Sequence, residues 1–342
     1  MKQQVALIGC GRIGQMHLTH LQSMPNVTVK YIVDDKAKAE DYPGIFIYRQ
    51  ACLEEVLRDT SLSAVVIAAS SAAHVALIEK AADYGKAIFC EKPVSFKPNE
   101  LKHIKAIIAK SSVIFQVGLN RRFDPDFRLL KQRVEAGEIG DIHIIKITNH
   151  DPRRPALDFV AKSGGLFFDF NIHDFDMVHF LSDQRVVEAY AQGDAMIEPD
   201  LRNYNDIDTA IITLKLESGA LVVIDASRET NCGYDQRLEV FGSKGMLRVD
   251  NLQKTTVSAK SAALKLQYEL PLWSFVERYH QSYAHAFDAF FARVESSQIR
   301  QADVAGIDAI IKAVDVANMV DVSFKKGCVV HCQRHESEST VA

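Results

Sequence analysis

No stretch of this 342-residue chain approaches the roughly 18 consecutive apolar residues that a membrane-crossing helix needs. The opening MKQQVALIGCG has an apolar run too short, and too soon broken by glycine, for a signal peptide. With neither feature, the expected location is the cytosol. Lysine- and arginine-rich blocks are missing as well, and the formal net charge is -4. Nucleic acid and anionic membrane both call for a basic patch, so neither is an expected partner. Cysteine is sparse. Cys10, Cys52, Cys90, Cys232, Cys328 and Cys332 are scattered along the chain, which suits free thiols in a reducing compartment better than a disulfide framework. Near the C-terminus GCVVHCQRH gathers Cys328, His331, Cys332 and His335, donor types that suit zinc, but their spacing matches no structural zinc pattern. A final strand followed by a polar, frayed end from His335 to Ala342 is expected there, and no metal.

What is present is an ordinary globular composition, 47% hydrophobic, in a chain long enough to bury more than one core. Val5 to Ile8 reads as a buried strand and runs straight into GCGRIG, after which apolar positions from Ile13 to Leu21 recur at helical spacing. A GxGxxG between a strand and a helix is the setting of a dinucleotide site. Gly9 permits the tight turn, Gly11 lets backbone amides approach a pyrophosphate, and Gly14 lets the helix lie close on the strand. Arg12 and Ile13 fall inside the same loop and join the cofactor candidates. A second strand, Val27 to Val33, ends at Asp34, twenty residues past Gly14, where a carboxylate accepts hydrogen bonds from ribose hydroxyls. A carboxylate there repels a 2′-phosphate, so NAD is expected over NADP; Lys36 is the neighbour that argues the other way. DDK also reads as a plain polar turn.

Helix and strand signals then alternate: helices at Leu53 to Asp59, Val75 to Tyr84 and Asn99 to Ala109, strands at Ala64 to Ala68, Ala87 to Cys90 and Val113 to Val117. The alternation implies a doubly wound parallel sheet, whose ligands bind beyond the carboxyl ends of its strands. Those ends are GCGRIG, Asp34, the Ser70-Ser71 turn with His74, the Glu91-Lys92-Pro93 triplet and Gly118 to Arg122. Ser70 and Ser71 suit either a cofactor wall or a simple turn. Lys92, directly after an apolar strand and before a proline, is aimed from the ligand-binding rim.

After Arg122 the alternation stops, giving a dinucleotide-binding domain over residues 1–122 and an α+β domain over 123–342. A helix at Asp126 to Glu135 leads to strands at Ile142 to Thr148, Val186 to Gln192, Thr209 to Leu216, Ala220 to Ala226, Gln236 to Phe241, Met246 to Val249 and Thr255 to Ser258. Short turns at Ser218-Gly219 and Ser243-Lys244-Gly245 make the sheet largely antiparallel. Long amphipathic helices follow at Ser274 to Val294 and Asp303 to Val320, with an aromatic stripe that reads as core. Between the first two strands lies GGLFFDFNIHDFDM, Gly164 to Met177, a loop feeding a helix. Helical spacing puts Asp169 and His173 on one face, and a carboxylate beside an imidazole is how a general base is oriented and made more basic. Taken alone, the same residues read first as a capped helix with a half-buried histidine.

Together, GCGRIG, the EKP triplet Glu91 to Pro93, VGLNRRFD at Val117 to Asp124 and GGLFFDFNIHDFDM resemble the glucose-fructose oxidoreductase, inositol dehydrogenase and MocA family, and within it the inositol 2-dehydrogenases. The resemblance runs to about residue 325. It implies NAD as cofactor, a small polyol or sugar substrate, and a homodimer or homotetramer built on the second sheet. It also implies that Lys92, Asp169 and His173 are the catalytic set, with Glu91 and Lys92 beside the cofactor. Family substrate contacts fall on Lys92, Arg121, Asp169, His173 and Tyr234. The chain departs at Asp151-Pro152, where inositol dehydrogenases often carry Asn-Pro; an acid for an amide alters which hydroxyl is gripped, so Asp151 bears on the choice of polyol.

The expected activity is oxidation of a ring hydroxyl to a ketone, from myo-inositol to 2-keto-inositol in the first instance. Either His173 or a desolvated Lys92 is the proton acceptor, the other stabilising the oxygen. Other sugars or sugar acids are alternative substrates, and a non-catalytic dinucleotide sensor is a rival from another class. The joint presence of lysine, aspartate and histidine speaks against the sensor, which needs no proton-transfer set.

Overall fold

The structure, a computed structural model, describes residues 2–255, 258–259, 267–268, 271–296 and 305–332. The chain divides into two units, Met1–Leu129 with Phe275–Val314, and Leu130–Ser274 with Asp315–Ala342.

In the first unit β1 (Gln3–Ile8), α1 (Arg12–Ser23), β2 (Val27–Val33), β3 (Phe46–Tyr48), α2 (Leu53–Leu57), β4 (Leu62–Ile67), α3 (Ser71–Asp83), β5 (Ala87–Cys90), α4 (Pro98–Ser111) and β6 (Phe115–Val117) follow one another. The strands form a parallel sheet in the order β3-β2-β1-β4-β5-β6. Its centre is apolar on both faces, as helices on both sides of a parallel sheet require: Val5 to Ile8 and Ala64 to Ile67 are buried throughout. The order reverses between β1 and β4, the switch point at which such sheets open a ligand crevice. Strand β3 is not among the strands expected above, although Phe46, Ile47 and Tyr48 all favour strands; it is a three-residue edge strand with Phe46 exposed.

A doubly wound parallel sheet with a second, mainly antiparallel sheet is thus the fold, as the sequence implies. The domain limits differ from a single break after residue 122. The segment Phe275–Val314 returns to the first unit because its aromatic stripe has a partner there. Short α8 (Phe275–Arg278) and long α9 (His280–Ser296), separated at Tyr279, replace one continuous helix, and Tyr283 and Phe287 set their rings edge-on to the buried His17 of α1. Phe287 and Phe290 also pack on Phe89 of β5.

The second unit begins within α5 (Pro125–Glu135) and continues with β7 (Ile142–His150), α6 (Leu157–Ser163), a π-helical turn (Leu166–Phe170), α7 (Ile172–Ser182), β8 (Val186–Asp194), β9 (Thr209–Leu216), β10 (Leu221–Ser227), β11 (Asp235–Gly242) and β12 (Gly245–Val249). Short pieces β13 (Ser258–Ala259) and β14 (Gln267–Tyr268) precede α10 (Ile307–Lys326), which crosses the division of the chain, and β15 (Val330–His331). The large sheet runs β12-β11-β7-β10-β9-β8-β15, parallel only between β7 and β10. Alternation along the strands buries one face, with Ile145, Ile147, Leu238, Val240, Ile212, Leu214, Val222 and Ile224 inside. Of the strand expected at Thr255 to Ser258, Ser258 lies in β13; residues 256–257 lie outside the described residues, as do His335 and the terminus beyond it. All six cysteines are free thiols. Among the described residues no helix is long and apolar enough to cross a membrane, and no three His, Cys, Asp or Glu side chains gather as a metal would require.

Candidate active site

The glycine loop shows why each glycine is needed. Gly9 sits at φ +89°, and a Cβ there would lie 2.6 Å from the Ala69 amide nitrogen. A Cβ on Gly14 would strike the Gly9 carbonyl oxygen, so the first turn of α1 closes directly on the loop. Gly11 differs: a Cβ there meets nothing within 4 Å, so its bareness serves the open space in front of the helix rather than the protein's own packing. Gly11 is also the N-cap of α1, no side chain caps the helix, and its first turn holds no acidic residue. Exposed amides at a positive helix end fit a pyrophosphate. Arg12 is exposed, with its guanidinium 5.4 Å from the centre of the Phe275 ring.

Asp34 is bound to that loop. One carboxylate oxygen accepts from the Cys10 amide at 2.7 Å, the other from the amides of Lys36 and Ala37 at 2.7 and 3.2 Å. Burial pushes its carboxyl up, but the three amides and the Lys36 charge outweigh it and hold the group below the ordinary aspartate value. The side chain stays ionised, as an acceptor for ribose hydroxyls must. Ser70, exposed, is the N-cap of α3 and the half-buried Ser71 its first residue; no side-chain hydroxyl caps the helix.

His74 and Glu91 lie behind the rim rather than on it. The buried His74 ring has Nδ1 2.8 Å from the Pro93 carbonyl oxygen and Nε2 3.0 Å from that of Ala69. Burial lowers its pKa, against the opposing effect of those carbonyls and of Glu91. Both ring nitrogens lie against backbone carbonyl oxygens, so His74 braces the backbone at Ala69 and Pro93. Glu91 Oε1 meets His17 Nε2 at 2.7 Å and its Oε2 accepts from the Lys92 amide at 3.2 Å. Gly118 makes room for it, since a Cβ there would lie 2.8 Å from Glu91 Oε1. Lys92 itself is half-buried and precedes Pro93 through a cis peptide bond. Arg121 and Arg122 lie buried in a one-turn helix, Asn120–Phe123, and Arg121 is 5.8 Å from the centre of the Tyr279 ring. Arg278 flanks the same ring at 4.8 Å and donates to the buried Asp124 at 2.6 Å.

In the second unit strand register brings the remaining candidates to one rim. His150 at the end of β7 lies opposite both Ser227 at the end of β10 and Asp235 at the start of β11. Asp151 follows His150, its amide donating to the Ser227 carbonyl at 2.9 Å, and the buried Tyr234 precedes Asp235. The helix bearing His173 is fastened to the same rim. Asp174, fully buried, accepts from Asn149 Nδ2 at 2.6 Å and from Asn171 Nδ2 at 2.8 Å, and Gln236 donates in turn to Asn149 Oδ1. This network carries no sequence motif beyond buried amides at strand positions.

Asp169 and His173 are not on one continuous α-helix. Asp169 lies in the π turn Leu166–Phe170, wound by the bond from Asn171 N to Leu166 O, and His173 is the second residue of α7. The wider turn follows from the two glycines before it, Gly164 and Gly165, both at φ +86°, and from the Asp206 carboxylate, which accepts the Leu166 amide at 2.8 Å. Asp169 and His173 are both half-buried.

Residues 3–119 match the sequence pattern of an oxidoreductase family with an NAD-binding Rossmann fold, and residues 127–248 that of the GFO/IDH/MocA C-terminal domain. The chain belongs to the GFO/IDH/MocA family. Within this family it is 42% identical to the uncharacterized oxidoreductase YrbE of Bacillus subtilis, over 85% of this chain and 86% of the relative. It is 36% identical to the myo-inositol 2-dehydrogenase of Thermotoga maritima, over 86% and 89%. The scyllo-inositol dehydrogenase of Lactobacillus casei, solved with bound NAD(H) and scyllo-inositol, superposes with a TM-score of 0.88 at 26% identity, covering 97% of this chain and 99% of that one. The protein is thus an NAD-dependent oxidoreductase of the GFO/IDH/MocA family.

Proposed function

We propose that this oxidoreductase oxidises one ring hydroxyl of a cyclic polyol, inositol at its 2-position above all, to the ketone. The observation that carries the reading is the coexistence, on a chain with an NAD-fitted glycine loop, of Lys92 at the strand rim and of the Asp169 turn feeding His173. The inositol dehydrogenases among its relatives supply the substrate class. NAD, bound on Gly9, Gly11 and Gly14 with its ribose on Asp34, supplies the acceptor for the carbinol hydride. The rest belongs to the chain. His173 takes the hydroxyl proton, Asp169 orients the imidazole and stabilises its protonated form, and Lys92 donates to the same oxygen as alkoxide charge develops. Arg121, Asp151 and Tyr234 hold the remaining hydroxyls, and Asp151 selects the isomer. In this account Ser70 and Ser71 border the cofactor.

We further propose that the protein works as a homo-oligomer through the outer face of its large sheet. Register puts Met246, Phe241, Leu221 and Ile211 on that face, and all four are exposed. Met246, Phe241 and Leu221 line up across the strands through Ile144, with Ile211 further along the same face, and exposed apolar side chains so placed are what a second copy would cover.

The test is NADH absorbance against a panel of inositol isomers, sugars and sugar acids. Turnover with myo- or scyllo-inositol at least tenfold above that with open-chain sugars is the expected result. A preference for sugar acids, or no turnover at all, defeats the assignment.

A further inference from the structure

Asp206 and Arg228 belong to no motif, yet both are almost fully buried, at 6% and 2% exposure. Arg228 Nη2 lies 3.4 Å from Asp206 Oδ2. Among the described residues none of the Arg228 side-chain nitrogens has a hydrogen-bond acceptor, so the guanidinium is held there chiefly as a counter-charge. A buried ion pair of this kind is a poor way to stabilise a fold, because desolvation offsets most of the attraction. Its place in the structure gives it another use.

The other oxygen of Asp206 accepts the Leu166 amide, the first of the π turn that carries Asp169. Gly165 allows this approach: a Cβ on it would lie 3.0 Å from Asp206 Oδ1, and its φ of +86° suits glycine alone. The turn then winds from that anchor, with Asp169 N donating to Gly165 O and Asn171 N to Leu166 O, each at 3.0 Å. Its far end is gripped too, since Asn171 donates to Asp174. The anchor itself is fixed. Asp206 N donates to Leu201 O, Arg228 N donates to Asp208 O, and the Asp208 carboxylate accepts the amides of Met196, Ile197 and Glu198 at 2.8 to 2.9 Å. π turns of this kind concentrate at functional sites.

We propose that the Asp206–Arg228 pair positions Asp169, by holding the π turn from behind so that its carboxylate keeps one orientation toward His173. This rests on the reading of Asp169 and His173 as the proton-transfer set. Asp206 and Arg228 are positioning residues and touch neither substrate nor cofactor.

The full-length protein tests it through Arg228→Met, Arg228→Lys and Asp206→Asn, with NADH titration counting folded sites. Arg228→Met lowers kcat per NADH-binding site tenfold or more, leaves the KM for NAD within twofold of wild type, and speeds amide exchange at Leu166 and Asn171. Arg228→Lys restores most of both. Should Arg228→Met fail to fold, Asp206→Asn, which keeps the volume, is held to the same standard. Unchanged turnover per site, or unchanged exchange, overturns the proposal, as does a Lys variant no better than Met. If the wild-type protein oxidises no cyclic polyol, the reading of the site falls while the exchange measurement still decides whether the pair holds the turn.

Discussion

His17 Nε2 and Glu91 Oε1 meet at 2.7 Å in a core where the imidazole is wholly buried among Phe89, Tyr283 and Phe287. The contact joins the helix that follows the glycine loop to the residue before Lys92, whose amide the same carboxylate accepts. Cofactor loop and rim lysine therefore share one brace. Glu91→Ala should cost about 2 to 3 kcal/mol of folding free energy, from a stranded imidazole and a cavity. It should also lower turnover per folded molecule by releasing the Lys92 amide. Glu91→Gln, which keeps shape and an acceptor, should cost about 1 kcal/mol. Urea unfolding with parallel kinetics checks both, and a Glu91→Ala variant as stable as wild type removes the brace.

The loop glycines separate folding from binding. Gly11→Ala adds a methyl where no protein atom lies within 4 Å. Its stability should stay within about 0.5 kcal/mol of wild type while NADH affinity falls about tenfold or more. Gly14→Ala drives a methyl into the Gly9 carbonyl and should lose stability as well. Thermal melts and fluorescence titration distinguish the two; equal effects of both substitutions on stability contradict the division.

The choice of dinucleotide should turn on Asp34. Replacing it with Ser removes the charge that opposes a 2′-phosphate beside Lys36, and kcat/KM for NADP relative to NAD should rise at least tenfold, about 1.4 kcal/mol. Steady-state kinetics with both cofactors tests this. An unchanged ratio places the discrimination elsewhere.

Stability should depend on pH through His20. Burial, then the neighbouring His280 and His17, push its pKa down to about 4, and its ring lies 4.6 Å from that of His280. The unfolded chain binds this proton near pH 6.5, so between about 6.5 and 4 the unfolded state holds more protons and stability falls as pH drops. The contribution is intact above that window and lost below it, about 3 kcal/mol in all. His20→Leu should flatten urea midpoints between pH 7 and 4.5 relative to wild type; an identical slope rules His20 out as the source.

Much of this is legible in the sequence. The strand-glycine-helix run and Asp34 declare themselves because backbone geometry, not distant packing, dictates those residues. Strand alternation at Thr209 to Leu216 likewise follows from one buried face. What escaped depends on where side chains turn. Glu91 follows the end of β5 and His74 lies in the first turn of α3, at the edge where such sheets bind ligands, yet both are buried, and no periodicity tells the two directions apart. The same holds for Phe275–Val314: its apolar stripe is evident, but not that the face it covers belongs to His17 and Phe89. The π turn is hidden because one of its supports, the Asp206 carboxylate, lies 40 residues away from Leu166, and Gly164-Gly165 alone reads as a loop. Asp174, Asn149 and Gln236 read as ordinary polar residues until the fold buries them together.

The most direct test of the account is the steady-state turnover of His173→Ala and Lys92→Ala on inositol, with NADH binding measured in parallel. Both should lose about a hundredfold or more in kcat and keep near wild-type affinity for NADH. Wild-type turnover in either variant, at undiminished NADH affinity, contradicts its place in the proton-transfer set.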